Sequence, residues 1–241
     1  MEKPIIGIVS KNMIINDYYN WSWQRISDDD RFEIYKHGGI ALGILPQTER
    51  QNFNKEDEHE DIKLSKQEIK DLLVVLKKCD GIILQGGISS HNYEEFIAKY
   101  CYDNDIPLIG ICAGYNNIIR ALGGKAELIT NVEKHNRPDL KYAHNCHIVD
   151  KNSLYYSLVK EEDFPVNSVH TYVGTKIPKK LSVVAYSDDN QVEVVEAKNK
   201  EFFIGIKYHP ELLAPFDKKQ DNIFKPVSYT HLRAHETRHD L

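Results

Sequence analysis

The segment Ile109-Gly110-Ile111-Cys112-Ala113-Gly114-Tyr115, IGICAGY, sets a lone cysteine between two glycines, where an apolar run gives way to an amphipathic one. A cysteine that merely fills a core needs no glycine on either side. One pushed out of a strand-to-helix turn does, because side chains at Gly110 and Gly114 would strike the flanking strand and helix. The helix behind Cys112 aims its positive end at the sulfur, which favours thiolate. The Ala113 N–H is placed to meet a developing oxyanion. A small buried cysteine with incidental glycines is the weaker reading, since strand, turn and helix all coincide here.

Outward from this elbow, apolar strands and amphipathic helices alternate. Pro4 to Val9 (PIIGIV) reads as a buried strand. Asp28 onward (DDDRFEIYK) opens with acids and stops at Gly38-Gly39, as a helix does, and the strand ALGILP follows. Glu56 to Asp61 (EDEHED) reads as a solvated loop. Ser65 and Glu68 have capping-box spacing ahead of a stripe of Ile69, Leu72, Leu73 and Leu76. DGIILQGG is a buried strand ending in Gly86-Gly87, NYEEFIAKYCYDND a helix, PLIGI a strand, and AGYNNIIRALGG a helix closed by Gly123-Gly124. Such alternation implies an α/β fold with a mainly parallel central sheet and helices on both faces. Its site lies beyond the carboxyl ends of the strands, where Cys112 and Gly86-Gly87 both arrive. The second half is richer in strands (HNCHIV, FPVNSVH, LSVVAYS, QVEVVEA, FFIGIKYHPE), and no linker divides the halves.

With 241 residues, 41% hydrophobic and 28% charged, the chain can bury a sizeable core. A net charge of −5 gives no reason to expect nucleic acid. No apolar run approaches the ~20 residues of a membrane span. The start enters a strand-like run with no signal peptide ahead, and four cysteines in a chain this long are no disulfide framework, so a cytoplasmic location is expected. Val227 to Thr237 resembles the translation of a sequencing-library adapter, so residues 1–226 are read as one domain, truncated at its C-terminus, and 227–241 as a non-native tail. His231, His235 and His239 in that tail are spaced as if to share a helix face, but are read as carrying no selected chemistry.

A thiolate needs a base and the base an orienter. YHPE supplies His209 and Glu211 after the strand FFIGIK, and in an extended stretch residues two apart point the same way. Together, PLIGICAGYNNIIRALGG, DGIILQGG, VNSVH and IGIKYHPE resemble the class I glutamine amidotransferase superfamily, and more narrowly the peptidase C26 group of γ-glutamyl hydrolases, over Pro4 to about Leu213. The resemblance implies a flavodoxin-like fold and a Cys112–His209–Glu211 triad that cleaves a small-molecule γ-glutamyl amide, γ-glutamyl-GABA among the candidates, through a thioester without a cofactor. It assigns Gly86 and Gly87 to the oxyanion loop with Ala113, and Asn116, Ser168 and His170 to substrate binding. Ala113 stands where this group often has arginine, Asn116 where the superfamily usually has glutamine, Thr171 where a second histidine is common, and Ile88-Ser89-Ser90 where an aspartate and a proline are usual. These departures bear on substrate recognition, and none removes the triad.

A glutaminase subunit feeding ammonia to a separate synthase is the alternative, and a non-enzymatic relative a third reading. The absence of a synthase domain favours the free-standing hydrolase. The oligomeric state stays open, a homodimer included. His135, His144 and His147 beside Cys146 fit no standard zinc spacing, and no metal is expected. Cys79 and Cys101, at predicted helix ends, read as packing. Trp21 and Trp23 lie in an aromatic loop, DYYNWSW, expected to pack on the core.

Overall fold

Ile5–Val9 seeds the sheet: its residues alternate between two apolar cores, one on each face. A computed structural model of the chain describes residues 2–15, 21–47, 63–87 and 91–229. Strand β1 (Ile5–Val9) leads into an antiparallel pair, β2 (Lys11–Ile15) and β3 (Trp21–Arg25). Then come α1 (Asp28–Lys36), β4 (Ile40–Ile44), α2 (Lys66–Leu76), β5 (Gly81–Leu84), α3 (Asn92–Asn104), β6 (Leu108–Ile111) and α4 (Ala113–Ala121). The second half holds β7 (Lys125–Leu128), α5 (Val132–His135), β8 (His144–Ile148), α6 (Leu154–Val159), β9 (Asp163–Val166) and β10 (Tyr172–Lys176). It continues through β11 (Ser182–Ser187), β12 (Val192–Glu196) and β13 (Phe203–Ile206) to the short helices α7 (Pro210–Leu213), α8 (Lys218–Asn222) and α9 (Lys225–Tyr229).

Among the described residues, nine strands form one sheet in the order β4-β1-β5-β6-β13-β12-β11-β8-β9. The first five are parallel, and in chain order they run 2-1-3-4-5, the flavodoxin-like arrangement. Beyond β13 every pairing is antiparallel; short turns join β11 to β12 and β12 to β13, while α6 lies between β8 and β9. The turn from β11 to β12 uses Asn190 at φ 64°, a conformation asparagine tolerates. On one face Ile6, Ile8 and Ile83 pack with Ile34 of α1 and the C-terminal helices. On the other, Val9, Ile82 and Leu84 pack with α2, α3 and α4. Burial on both faces is why these strands read as continuous apolar runs rather than alternating ones.

Local signals hold where they are strongest. Ser65 and Glu68 form the reciprocal capping box of α2, the Glu68 N–H donating to Ser65 Oγ at 3.2 Å. Helices α1 and α4 give way to Gly38 and Gly123 at φ 84° and 91°. The aromatic segment after β2 differs from the sequence expectation. Trp21 and Trp23 belong to strand β3 rather than a loop, and Trp23 is 48% exposed instead of packed on the core, in a two-stranded pair outside the main sheet. Cys101 lies in the last turn of α3, fully buried in the core, as the sequence reading has it. Helix α9 spans residue 226, and its Val227 is buried against Gly81. The acidic loop at 56–61, residues 88–90 and the tail histidines lie outside the described residues.

Gly114 sits where α4 crosses β5: a Cβ there would lie 2.0 Å from the Leu84 carbonyl oxygen. Across the elbow, a Cβ on Gly110 would lie 2.5 Å from Ile118 Cδ1. The Gly114→Ala variant should therefore lose about 3 kcal/mol of unfolding free energy, seen as a lower urea midpoint at unchanged slope. An unaltered midpoint would contradict this close approach.

Candidate active site

Strands β6 and β13 are parallel neighbours, with Ile111 opposite Ile206. Residues that follow them therefore leave the sheet side by side at its carboxyl edge. Cys112 follows β6 at once, its N–H donating to the Ile206 carbonyl at 2.8 Å. Its backbone takes φ 51° and ψ −99°, which a side-chain-bearing residue adopts only where the surroundings enforce it. That bend lifts the sulfur into a cleft at the N-terminus of α4. Strand β5, on the other side of β6, delivers Gly86, where a Cβ would lie 2.6 Å from His209 Cε1 and 3.4 Å from the Cys112 Cβ. Only a glycine lets this loop come so near both side chains.

His209 comes three residues after β13, and its Nδ1 lies 2.6 Å from Glu211 Oε1. The carboxylate can only accept, so Nδ1–H donates and Nε2 is left for the cysteine. The 209–211 stretch is not extended, as the sequence reading has it. Pro210 begins α7, with its fixed φ suited to a first helical turn, and Glu211 turns back to the ring from that turn. Asn167 holds the His209 backbone from both sides: its Nδ2 donates to the His209 carbonyl and its Oδ1 accepts the His209 N–H, each at 2.8 Å.

Burial alone would push the Cys112 thiol up, but the Lys207 ammonium and then the His209 imidazole bring it down to about 6. Burial likewise disfavours a charged His209, yet Glu211 and then Cys112 hold it well above the usual imidazole range. At neutral pH the pair is thiolate and imidazolium, and its titration belongs to both groups. Cys79, by contrast, is pushed up to about 11 by burial and is an inert packing thiol.

Cys112, His209, Glu211, Gly86, Gly87, Ala113, Asn116 and His170 all line one cleft of about 800 Å³. Ser168 does not: it is fully buried behind the wall, where its carbonyl accepts from the Arg137 N–H at 2.8 Å. The Ala113 N–H belongs to the first turn of α4, where amide protons lack intrahelical acceptors. Lys207 is missed by the sequence reading. Buried and directed across the elbow, its Nζ donates to Asn116 Oδ1 at 3.1 Å and to the Cys112 carbonyl at 3.4 Å, and stands 5.5 Å from the Tyr115 ring centre. Its only sequence signal is a lysine interrupting an apolar strand end, IGIKY. Asp30 is also missed. Burial first, then the Glu211 charge, raises its carboxyl well above the usual range. Lys11, buried in an ion pair with Glu94, runs along Gly87.

The histidines regroup. Strand alternation sends His147 to the far side, bonded to Asp163 and Asp188 at 2.6 and 2.7 Å, and Cys146 into the apolar core. His135 and His144 instead meet His170 and Glu193.

Against known proteins, the sequence profile of the peptidase C26 family matches residues 88–211, just over half of the chain. One subunit of a glutamine-hydrolysing GMP synthase from Methanocaldococcus jannaschii is 32% identical over 141 residues, covering 56% of this chain and 66% of its own. The γ-glutamyl-γ-aminobutyrate hydrolase PuuD of Escherichia coli is 29% identical over 167 residues, covering 57% of this chain and 66% of its own. The chain spans only about a quarter of the longer GMP synthases it matches, 27% in Clostridium tetani. A solved Thermoplasma acidophilum protein described as a GMP synthase subunit superposes with a TM-score of 0.66 at 14% identity, covering 99% of both chains, and shares the fold.

If the Lys207 charge holds down the Cys112 thiol, Lys207→Gln should move the pH midpoint of Cys112 alkylation by iodoacetamide upward by about one pH unit or more. The sign follows from losing a cation that favours thiolate. A midpoint that stays near 6 would show that His209 alone suffices.

Proposed function

We propose, since the chain belongs to the peptidase C26 family and has the class I glutamine amidotransferase fold, that it is a cysteine-dependent hydrolase of γ-glutamyl amides of small molecules. One observation carries this reading: a cysteine in a strained elbow, its thiol brought down to about 6, beside an imidazole that a carboxylate orients at 2.6 Å. The Cys112 thiolate attacks the γ-carbonyl, and amides of the Gly86-Gly87 loop and Ala113 receive the oxyanion. His209 gives its proton to the departing amine as the C–N bond breaks, leaving a γ-glutamyl thioester. The neutral imidazole then takes a proton from water, whose hydroxide attacks the thioester and releases glutamate and the thiolate. Glu211 fixes the tautomer throughout and stabilises the imidazolium.

The cleft favours a substrate larger than glutamine. Its 800 Å³ extends past Cys112 to Asp28 and Asp29 on one rim and Arg120 and Tyr172 on the other, more room than a departing ammonia needs. The similarity to one subunit of a GMP synthase supports a second reading, a glutaminase that feeds ammonia to a separate synthase.

A panel of γ-glutamyl-GABA, γ-glutamyl polyamines, folate-type polyglutamate and glutamine separates the two. A γ-glutamyl amine should be turned over by the chain alone, and Cys112→Ala should lower kcat/KM at least about 10⁴-fold while the fold persists. Undiminished turnover by Cys112→Ala would overturn the assignment. Activity on glutamine only, rising when a synthase is added, would favour the second reading.

A further inference from the structure

We propose that His135, His144, His170 and Glu193 form a binding site for one zinc-type divalent transition-metal cation, separate from the Cys112 nucleophile. This goes beyond the hydrolase reading and does not depend on it. The four residues come from α5, β8, the segment between β9 and β10, and β12, and their ligand atoms all lie within 4.8 Å of one another. His144 Nε2 is 3.6 Å and His170 Nε2 3.8 Å from Glu193 Oε1. The His135 ring centre stands 5.0 Å from each of the other two. Glu193 is 0%, His135 1% and His170 4% exposed.

The tautomers decide what the cluster can bind. His135 Nε2 is 3.1 Å from both Asp189 carboxylate oxygens, so that nitrogen carries the proton and Nδ1 presents a bare lone pair. His144 Nδ1 donates to the Asn145 carbonyl at 3.1 Å, so Nε2 is bare as well. His135 Nδ1, His144 Nε2, both His170 nitrogens and both Glu193 oxygens have no hydrogen-bond partner among the described residues. Lone pairs from three imidazoles and a carboxylate thus converge in a buried pocket with nothing donated between them. A proton on Glu193 would serve one imidazole, whereas a cation serves all four groups at once.

The outer groups are those of a metal centre. Asp189, itself fixed by the Ser187 hydroxyl at 2.6 Å, and the Asn145 carbonyl orient two of the rings through their far nitrogens. Imidazole-rich donors suit zinc and its neighbours rather than magnesium or calcium. In tetrahedral zinc, ligands at about 2.0–2.1 Å from the metal stand about 3.4 Å apart, which each group reaches by moving less than about 1 Å. Filling the site would pin the cleft wall, because His170 lines the cleft and the strip around it is bonded to the His135 segment, His170 N–H to the His135 carbonyl at 3.0 Å. The other convergence, Glu33, His37 and Asp221, already has its charge met by Lys36 and Lys218.

The test uses the full chain carrying Cys112→Ala, which removes a thiol that could bind zinc itself, and His231→Asn, His235→Asn and His239→Asn, which silence the terminal histidines. After chelator treatment, calorimetric titration with zinc chloride should show one zinc per chain and a raised Tm, with no response to magnesium chloride. Asp189→Asn should weaken zinc about 10–100-fold, and Glu193→Gln or His144→Ala should weaken it more. The proposal fails if that parent chain takes up no stoichiometric zinc, a result that needs no ligand variant to fold. It fails equally if uptake persists unchanged in Glu193→Gln and His144→Ala.

Discussion

Parallel pairing of β6 with β13 is the constraint on which the rest of the site depends. Nearly a hundred residues of chain separate Cys112 from His209, yet a register that sets Ile111 opposite Ile206 makes their strands end together. The elbow then needs only to turn the cysteine out of line, and the chain after β13 to turn the histidine toward it. Glycines at 86, 110 and 114 keep side chains out of the space in which three segments meet. The antiparallel extension beyond β13 serves the same edge: it brings Asn167 to clamp the His209 backbone and His170 into the wall of the cleft.

The electrostatics are a contest that burial would win if the site held the thiol alone. Desolvation is the largest influence on Cys112 and on His209, and it disfavours charge on both. Each is nevertheless charged, because the other stands beside it and because Lys207 and Glu211 flank the pair. Asp30 answers the same field in the opposite way: burial and then the Glu211 charge raise its carboxyl well above the usual range. A thiolate poised in this manner by neighbouring side chains is nucleophilic at neutral pH. The four-residue cluster at His135 lies on the far side of the His170 wall, so its proposed cation would act on the shape of the cleft.

What can be read from the sequence follows from how local each cause is. Buried parallel strands betray themselves as apolar runs ending in glycine, and the elbow at Cys112 and the capping box at Ser65 are complete within a few residues. The pairing order beyond β13 is a matter of long-range contact and leaves no such mark. Pro210 is ambiguous by nature, fitting an extended segment and the first turn of a helix equally well; the structure chooses the helix. Lys207 and Asp30 are illegible because lysine and aspartate read as surface residues until a fold buries them. Grouping His147 with His135 and His144 is natural along the chain, but strand alternation carries it away and brings Glu193 from another strand in its place.

The most direct test of the central claim is the ultraviolet absorbance of the thiolate, titrated against pH in the unliganded protein. The buried thiols at Cys79, Cys101 and Cys146 are all pushed upward, so they stay silent in the neutral range. A thiolate–imidazolium pair predicts a single step with a midpoint near 6 that disappears in Cys112→Ala. A midpoint at or above about 8.5, the value of an ordinary cysteine, would mean that no ion pair with His209 exists, and the site described here would not be a catalytic one.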